Sequence, residues 1–267
     1  MTVACPPARA FDMLADTYDA VFTNSCIGRA QRRAVWNELL SAFAPGQRIL
    51  EINCGTGVDA MFLAAHGLAV DALDISPRMI AVAQERKSRE GADLRINFHV
   101  LAAERLDTVE GTYDGAFSNF GGLNCVRDLP AVARQLARLV RPAARLVICL
   151  AGRFCAWELA WYAAHGQLHR ALRRTAGSAT GRLQEDVLIK VFYPTAGQLA
   201  TAFAPWFRLR RRRGIGVLVP PSYVEGFVRQ HLGFLRMAEQ ADTVLGHIPF
   251  VRALADHALF TFERMGA

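Results

Sequence analysis

Ile49-Leu50-Glu51-Ile52-Asn53-Cys54-Gly55-Thr56-Gly57-Val58 decides the architecture of this chain. Four residues with strand character run into a glycine turn, and an apolar helical pattern follows over Val58–His66. A glycine turn at the carboxyl end of a buried strand lets a ligand reach the backbone with no Cβ in the way. The helix that starts there offers unpaired N–H groups to the same ligand.

Outward from this segment, strand and helix alternate. Gly67 ends the helix, and Leu68–Leu73 reads as the next strand. Ser76-Pro77 opens another helix, with Ser as cap and Pro in the first turn. Further strands are expected at 94–101, 113–118 and 144–150, with a helix over 128–140. Upstream, residues 29–44 have helical spacing, closed by Pro45-Gly46. This alternation predicts an α/β fold, a parallel sheet with helices on both faces. After residue 150 the order breaks. Residues 153–174 read as one long helix, followed by a strand at 187–193 and a short helix at 195–203. An arginine-rich strand from Phe207, a helical stretch from Ser222 and a last strand over 257–265 close the chain.

Composition bounds the function. The 267 residues are 52% hydrophobic and 21% charged, enough apolar material for a sizeable core. No apolar run approaches the roughly 18–20 residues that span a bilayer, and MTVACPPARAFD lacks the core of a secretory signal. The expectation is a cytoplasmic protein with no membrane partner, whose six cysteines stay reduced. Residues 1–150 hold 16 basic and 16 acidic side chains, and residues 151–267 hold 15 and 8, so the whole net charge of +7 sits in the second part. Only Lys87 and Lys190 are lysines, a skew toward arginine that weakens any inference from charge alone. The run Arg208–Arg213 invites an RNA reading, but no RNA-binding module accompanies it. Strand alternation would set Arg208, Arg210 and Arg212 on one side, with Arg211 and Arg213 on the other. Protection of a sheet edge explains it better, and no nucleic-acid partner is expected. Nothing here bears on oligomeric state.

Asp74 stands at the end of the second strand, where a carboxylate can accept hydrogen bonds from both hydroxyls of a ribose. An adenosine-containing cofactor follows. Gly55-x-Gly57-x-x-Ala60 also fits a relaxed dinucleotide fingerprint. Glu51 opposes that reading, because an acid beside the turn repels a pyrophosphate and suits the ammonium of a bound amino acid.

With ALDISPRMIAVAQ, YDGAFSNFGGLNCV and RPAARLVICLAG in order after ILEINCGTG, residues 8–152 resemble class I S-adenosylmethionine (SAM) dependent methyltransferases, particularly the small-molecule, quinone-biosynthesis branch. The resemblance implies a Rossmann-like seven-stranded sheet, its last strand antiparallel, with a helical insertion after the fifth strand. It implies one domain over 1–267: an N-terminal helical lid to residue 45, a SAM-binding core at 46–152, a mainly helical substrate cap at 153–205, and closing strands with a cap helix at 206–267. Carried over residue by residue, Glu51, Gly55 and Gly57 meet the methionine part of SAM, Asp74 the ribose, and Ile75 and Met79 the adenine. The family often has Asp where Ala102 stands, so Ala103 and Glu104 are expected to take over. Ser118 and Asn119 end the fourth strand near the sulfonium, Tyr18 matches a lid tyrosine, and Arg29 is placed to reach the SAM carboxylate.

Plainer readings stand beside these: Asp74 as a helix cap, Tyr18 as packing, Arg29 as a solvated charge. For the acceptor, Asn124, Phe154, Trp157, Trp161 and Tyr162 are expected around an aromatic cavity, or simply in the core. His165 and Tyr223 are the proposed proton acceptors. His165 and His169 have i,i+4 spacing, but HGQLH lacks the Glu of HExxH and a third ligand, so no metal is expected. The expected activity is methyl transfer from SAM to an O or N atom of a small aromatic or hydrophobic metabolite. The alternatives are SAM use without methyl donation, such as cyclisation, an NAD-dependent oxidoreductase, or an RNA-binding module.

Overall fold

The structure, a computed structural model, describes residues 5–184 and 187–266, with backbone alone for 182–184. The first four residues of the N-terminal segment read above therefore lie outside the described residues. Two N-terminal helices, α1 (Pro7–Tyr18) and α2 (Cys26–Ala42), are joined by a π-turn at Asp19–Thr23. The core follows as β1 (Arg48–Ile52), α3 (Val58–Ala65), β2 (Ala69–Asp74), α4 (Pro77–Glu90), β3 (Ile96–Val100) and β4 (Tyr113–Ser118). It continues through α5 (Leu129–Leu139) into β5 (Val140–Ala151). Then come α6 (Ala156–Ala164), α7 (Leu168–Ala171), β6 (Ser178–Gln184), β7 (Val187–Phe192) and α8 (Ala196–Phe203). The chain closes with β8 (Phe207–Ile215), α9 (Glu225–Gln230), α10 (Leu232–Leu245) and β9 (His257–Arg264).

The seven-stranded sheet has the order β3-β2-β1-β4-β5-β9-β8, and β9 is antiparallel to both its neighbours. The crossover between β3 and β4 makes a switch point beside β1, where the carboxyl ends of strands leave a crevice. The central strands are buried on both faces, as their near-continuous apolar runs require. One core layer joins α5 and α8 to Leu146, Ile148, Leu150, Phe260 and Phe262. The other joins α2 and α3 to Ile49, Phe117, Val147 and Leu259. Each fully buried side chain of this size contributes roughly 1.5–3 kcal/mol.

The cap differs from the expected long helix. Gly166 adopts φ +69°, and the amide of Gln167 bonds back to the carbonyl of Tyr162, a left-handed helix end. The 153–174 segment thus breaks into α6, α7 and a short 3-10 turn, and His165 and His169 no longer share a helix face. The strand expected at 187–193 forms as β7, but pairs with β6 in a separate two-stranded sheet that the sequence reading did not foresee. The inserted segment is therefore helix and ribbon in comparable parts.

The arginine strand β8 lies at the sheet edge, as expected. A bulge between Leu209 and Arg211 resets its alternation, so Leu209 rather than Arg208 joins Arg212 on the α8 side. Arg211 and Arg213 turn to the other face, where both pair with Glu38.

Candidate functional site

The glycine turn is built as the sequence requires. Gly57 has φ +75°, and a Cβ there would lie 2.8 Å from both Ala83 and Phe98, so only glycine fits between α3, α4 and β3. Gly55 is also left-handed, but space is open beyond it, on the side of a cavity with about 680 Å³ of empty volume including its mouth. Tyr18, Gly55, Asp74, Ile75, Met79, Ala103, Glu104 and Asn119 all line that cavity. Residues from five separate parts of the chain thus converge on one crevice.

Asp74 is held by backbone donors: the amide of Gly55 to one oxygen and that of Ser76 to the other, both at 2.9 Å. Burial raises its pKa against those hydrogen bonds. Asp74 borders the cavity, and its remaining lone pairs can accept from paired hydroxyls there. The helix-cap reading goes elsewhere, since the hydroxyl of Ser76 accepts from the Met79 amide. Ile75, Met79, Ala103, Cys125 and Val126 give one end of the cavity the apolar surface that a flat heterocycle needs.

Glu51 lies beneath the turn, 1% exposed, and does not line the cavity. One of its carboxylate oxygens is buried without a hydrogen-bond partner. Burial, with Asp59 adding and Arg32 opposing, pushes its pKa well up. An unsatisfied acid under a glycine turn fits the approach of a cationic group. Ser118 is buried, with its hydroxyl 3.4 Å from Asn53 Oδ1. Arg29 is exposed on α2 and outside the cavity.

Arg32, one turn on from Arg29, is the arginine that α2 buries, and the sequence reading missed it. Its Nη1 lies 2.7 Å from Asp59 Oδ1, which also accepts from Trp36 Nε1 at 2.6 Å. The other Asp59 oxygen accepts from Asn119 Nδ2 at 2.8 Å. Arg32 also stacks its guanidinium 4.9 Å from the Phe120 ring centre. This network fixes Asn119 and Phe120 at the end of β4. Phe120 has φ +45°, a strained conformation for a bulky residue.

Behind Phe120 lies a second cavity. Tyr18 and Phe120 border both, so they form the partition between them. Phe22, Arg173, Arg174, Tyr223, Asp256 and His257 line the far side. His257 Nδ1 is 3.3 Å from Asp256 Oδ2, and the His257 ring meets Phe120 edge-on. Burial alone would raise the Asp256 carboxyl, but His257 and Arg174 outweigh it and hold it far below the carboxylate range. Arg174 is itself fixed between Glu158 at 2.6 Å and Asp256 at 3.0 Å. The only visible signal for this centre was the Asp256-His257 dipeptide opening the last strand.

The expected acceptor residues distribute otherwise. Of them Tyr223 lines the second cavity, and burial pushes its pKa well above 10, so its hydroxyl is a donor at neutral pH. Trp161 and Tyr162 pack against Tyr223 from behind. Trp157 donates to the carbonyl of Leu218. Asn124 is a clamp: its side chain accepts from the Ala151 amide and donates to the carbonyl of Phe192, tying β5 to β7. Phe154 faces a different cavity, beside α8. His165 is exposed at the end of α6, with Nδ1 2.7 Å from the Trp161 carbonyl, and lines neither cavity. Among the described residues no group of His, Cys, Asp and Glu could hold a metal ion, and no helix is long and apolar enough to cross a membrane.

Comparisons with known proteins agree with this geometry. Residues 49–143 match the methyltransferase domain family. The chain is 35% identical over 144 residues to a demethylmenaquinone methyltransferase of Mycobacterium marinum, covering 53% of this chain and 58% of the relative. It is 32% identical over 139 residues to the same-named protein of Clavibacter sepedonicus, covering 52% and 55%. The chain thus spans less than two thirds of the length of these curated relatives. In fold it is similar to the SpnF cyclase, with TM-score 0.64, 14% identity and 100% of both chains covered. It is also similar to the CcbJ methyltransferase from Streptomyces caelestis, with TM-score 0.64, 15% identity, and 98% and 100% covered. The β3-β2-β1-β4-β5-β9-β8 sheet, the glycine turn with its buried acids and the matched domain lead to one conclusion: residues 49–143 form a methyltransferase domain, in a chain similar in sequence and fold to class I SAM-dependent methyltransferases.

Proposed function

We propose that this protein transfers a methyl group from SAM to an O or N atom of a small, planar, hydrophobic metabolite. The observation that carries this reading is the pair of cavities with a shared Tyr18–Phe120 partition. SAM, when bound, supplies a methyl group on an electrophilic sulfur. Glu51 would face its ammonium, Asp74 its ribose, and Ile75 and Met79 its adenine. Tyr18 and Phe120 present aromatic surface where positive charge needs it, and they exclude water from the path between the cavities. Phe22 and Tyr223 hold a flat acceptor by its faces. His257, whose Nδ1 lies 3.3 Å from Asp256 Oδ2, takes the acceptor's proton at Nε2 as the new bond forms. This role passes from His165 and Tyr223 to His257, because only His257 combines a cavity position with a carboxylate partner. Arg173 and Arg174 face Glu158 and Asp256, so both arginines of the acceptor cavity among the described residues are paired, which suits a neutral ligand. The division of the domain into an N-terminal lid, a cofactor core and a cap belongs to the same proposal. Three lid acids support it: Asp12 accepts from Ser76, Asp16 from Arg78 and Asp19 from Thr56, each closing α1 and the π-turn over the crevice.

The test is incubation with methyl-labelled SAM and a panel of hydroxylated and aminated aromatic compounds, including quinols, read by mass spectrometry. Labelled product with S-adenosylhomocysteine is the expected result. A second reading, SAM bound without methyl donation, draws support from the likeness to the SpnF cyclase over the whole chain. Conversion of an acceptor with SAM unconsumed would establish that reading instead.

A further inference from the structure

A third cavity lies at the carboxyl end of β5, on the opposite face of the sheet from His257. Alternation along β9 separates them: His257 borders the acceptor cavity, whereas Ala258 and Phe260 border this one. Arg153, Arg212 and Arg252 line it, and no Asp or Glu does among the described residues. An adjoining open groove shares Arg153, Pro194 and Gly197 with it and adds Arg127.

These half-buried arginines differ from the buried ones. Arg32, Arg153, Arg174, Arg212 and Arg213 each have a buried Nε without a partner. Arg32, Arg174 and Arg213 nonetheless hold a carboxylate through an Nη. Among the described residues Arg153 and Arg212 hold none, and Arg252 donates to the backbone carbonyl of Arg212. Arg252 reaches the Arg212 backbone and both line the one cavity, with no carboxylate there to balance them among the described residues; burial, followed by the charge of Arg252, lowers the Arg212 pKa accordingly. The amino end of α8 adds to the same field. Thr195 and Gln198 satisfy each other's amides in a capping box, and the amides of Ala196 and Gly197 remain at the cavity wall.

We propose that this cavity binds a phosphoryl oxyanion, either free or as the charged end of a phosphorylated molecule. Guanidinium forks and helix amides are the donors that phosphate oxygens match, and a dianion relieves the Arg212–Arg252 repulsion. The site meets the acceptor cavity at Ala151 but differs from it in charge, since the arginines there are neutralised in place.

The experiment is calorimetric titration of the full chain with pyrophosphate at low ionic strength, repeated on Arg212→Gln/Arg252→Gln and on Gly197→Glu. Saturable binding to the wild type is expected, weakened at least about tenfold in both variants, since hydrogen bonds to charged groups carry that much. An Arg134→Gln/Arg138→Gln control removes the same charge from the exposed face of α5 and should leave binding intact. S-adenosylhomocysteine affinity, measured in parallel, reports folding and should not change. Phosphatidylglycerol vesicles, against phosphatidylcholine ones, separate the two sources. Binding to vesicles without binding to pyrophosphate assigns the site to a lipid headgroup, and the reverse assigns it to a soluble phosphate. No binding of either, or equal binding by the folded Arg212→Gln/Arg252→Gln variant, overturns the proposal. Loss of methyl transfer alone would bear on the proposed activity and not on this site.

Discussion

The two cavities that share Tyr18 and Phe120 are made in different ways. The first rests on backbone: strand ends, a glycine turn and helix N-termini, with Asp74 held by two amides. The second rests on side chains brought from the lid, the β4 end, the cap and the start of β9, cross-braced by Glu158, Arg174 and Asp256. A site built on backbone tolerates substitution around it and binds one kind of ligand. A site braced by ion pairs can be remodelled residue by residue, but each brace carries stability as well as function. In the proposed reading, such a division allows one cofactor pocket to serve many acceptors.

The sharpest way to break this comparison is at His257. His257→Gln should lower kcat by about 10²- to 10⁴-fold for an acceptor that must lose a proton, with SAM affinity unchanged by calorimetry. Equal loss of SAM affinity would mean that the cavities are not separable. Removing the brace comes next. Asp256→Ala takes from the buried Arg174 one of its two carboxylates and leaves it Glu158, and chemical denaturation should show a loss of about 3 kcal/mol, the lower end for breaking a buried pair. The pH dependence has a definite sign. Asp256 has a depressed pKa in the folded state, so its contribution is complete above its unfolded pKa of about 4 and declines as the pH falls further. The stability gap between wild type and variant should therefore narrow below about pH 4, and a gap that widened there would contradict the assignment. The smallest effect belongs to the backbone-built side. Asp74→Ala should weaken SAM binding by roughly 1.5–3 kcal/mol, about tenfold or more, with little change in acceptor KM. Unchanged SAM affinity would remove the ribose from Asp74.

Several departures from the sequence reading share one cause. Gly166 interrupts an apolar periodicity that otherwise runs from Trp157 to Leu172, and nothing in that spacing says whether the glycine will turn left-handed. The pairing of β6 with β7 joins two segments of which only one carries a strong strand pattern. The Arg210 bulge shifts alternation by one residue, and its place is set by the partner β9. Arg29 and Arg32 look alike in the sequence, yet only Arg32 meets Asp59, Phe22 and Phe120.

By itself the sequence determined the alternating α/β core, the antiparallel last strand expected from the resemblance, and the glycine turn of Gly55 and Gly57 with Asp74 beside it. These features lie within short strand–turn–helix units, where periodicity, capping and glycine placement act over a few residues. Only the tertiary structure decided that Tyr18 and Phe120 divide two cavities, that the Asp256-His257 pair meets Phe120 and Arg174, and that Arg153, Arg212 and Arg252 converge with no carboxylate beside them among the described residues. Those groups stand tens to hundreds of residues apart. Their meeting depends on which faces of the sheet the closing strands present, and local pattern does not encode that.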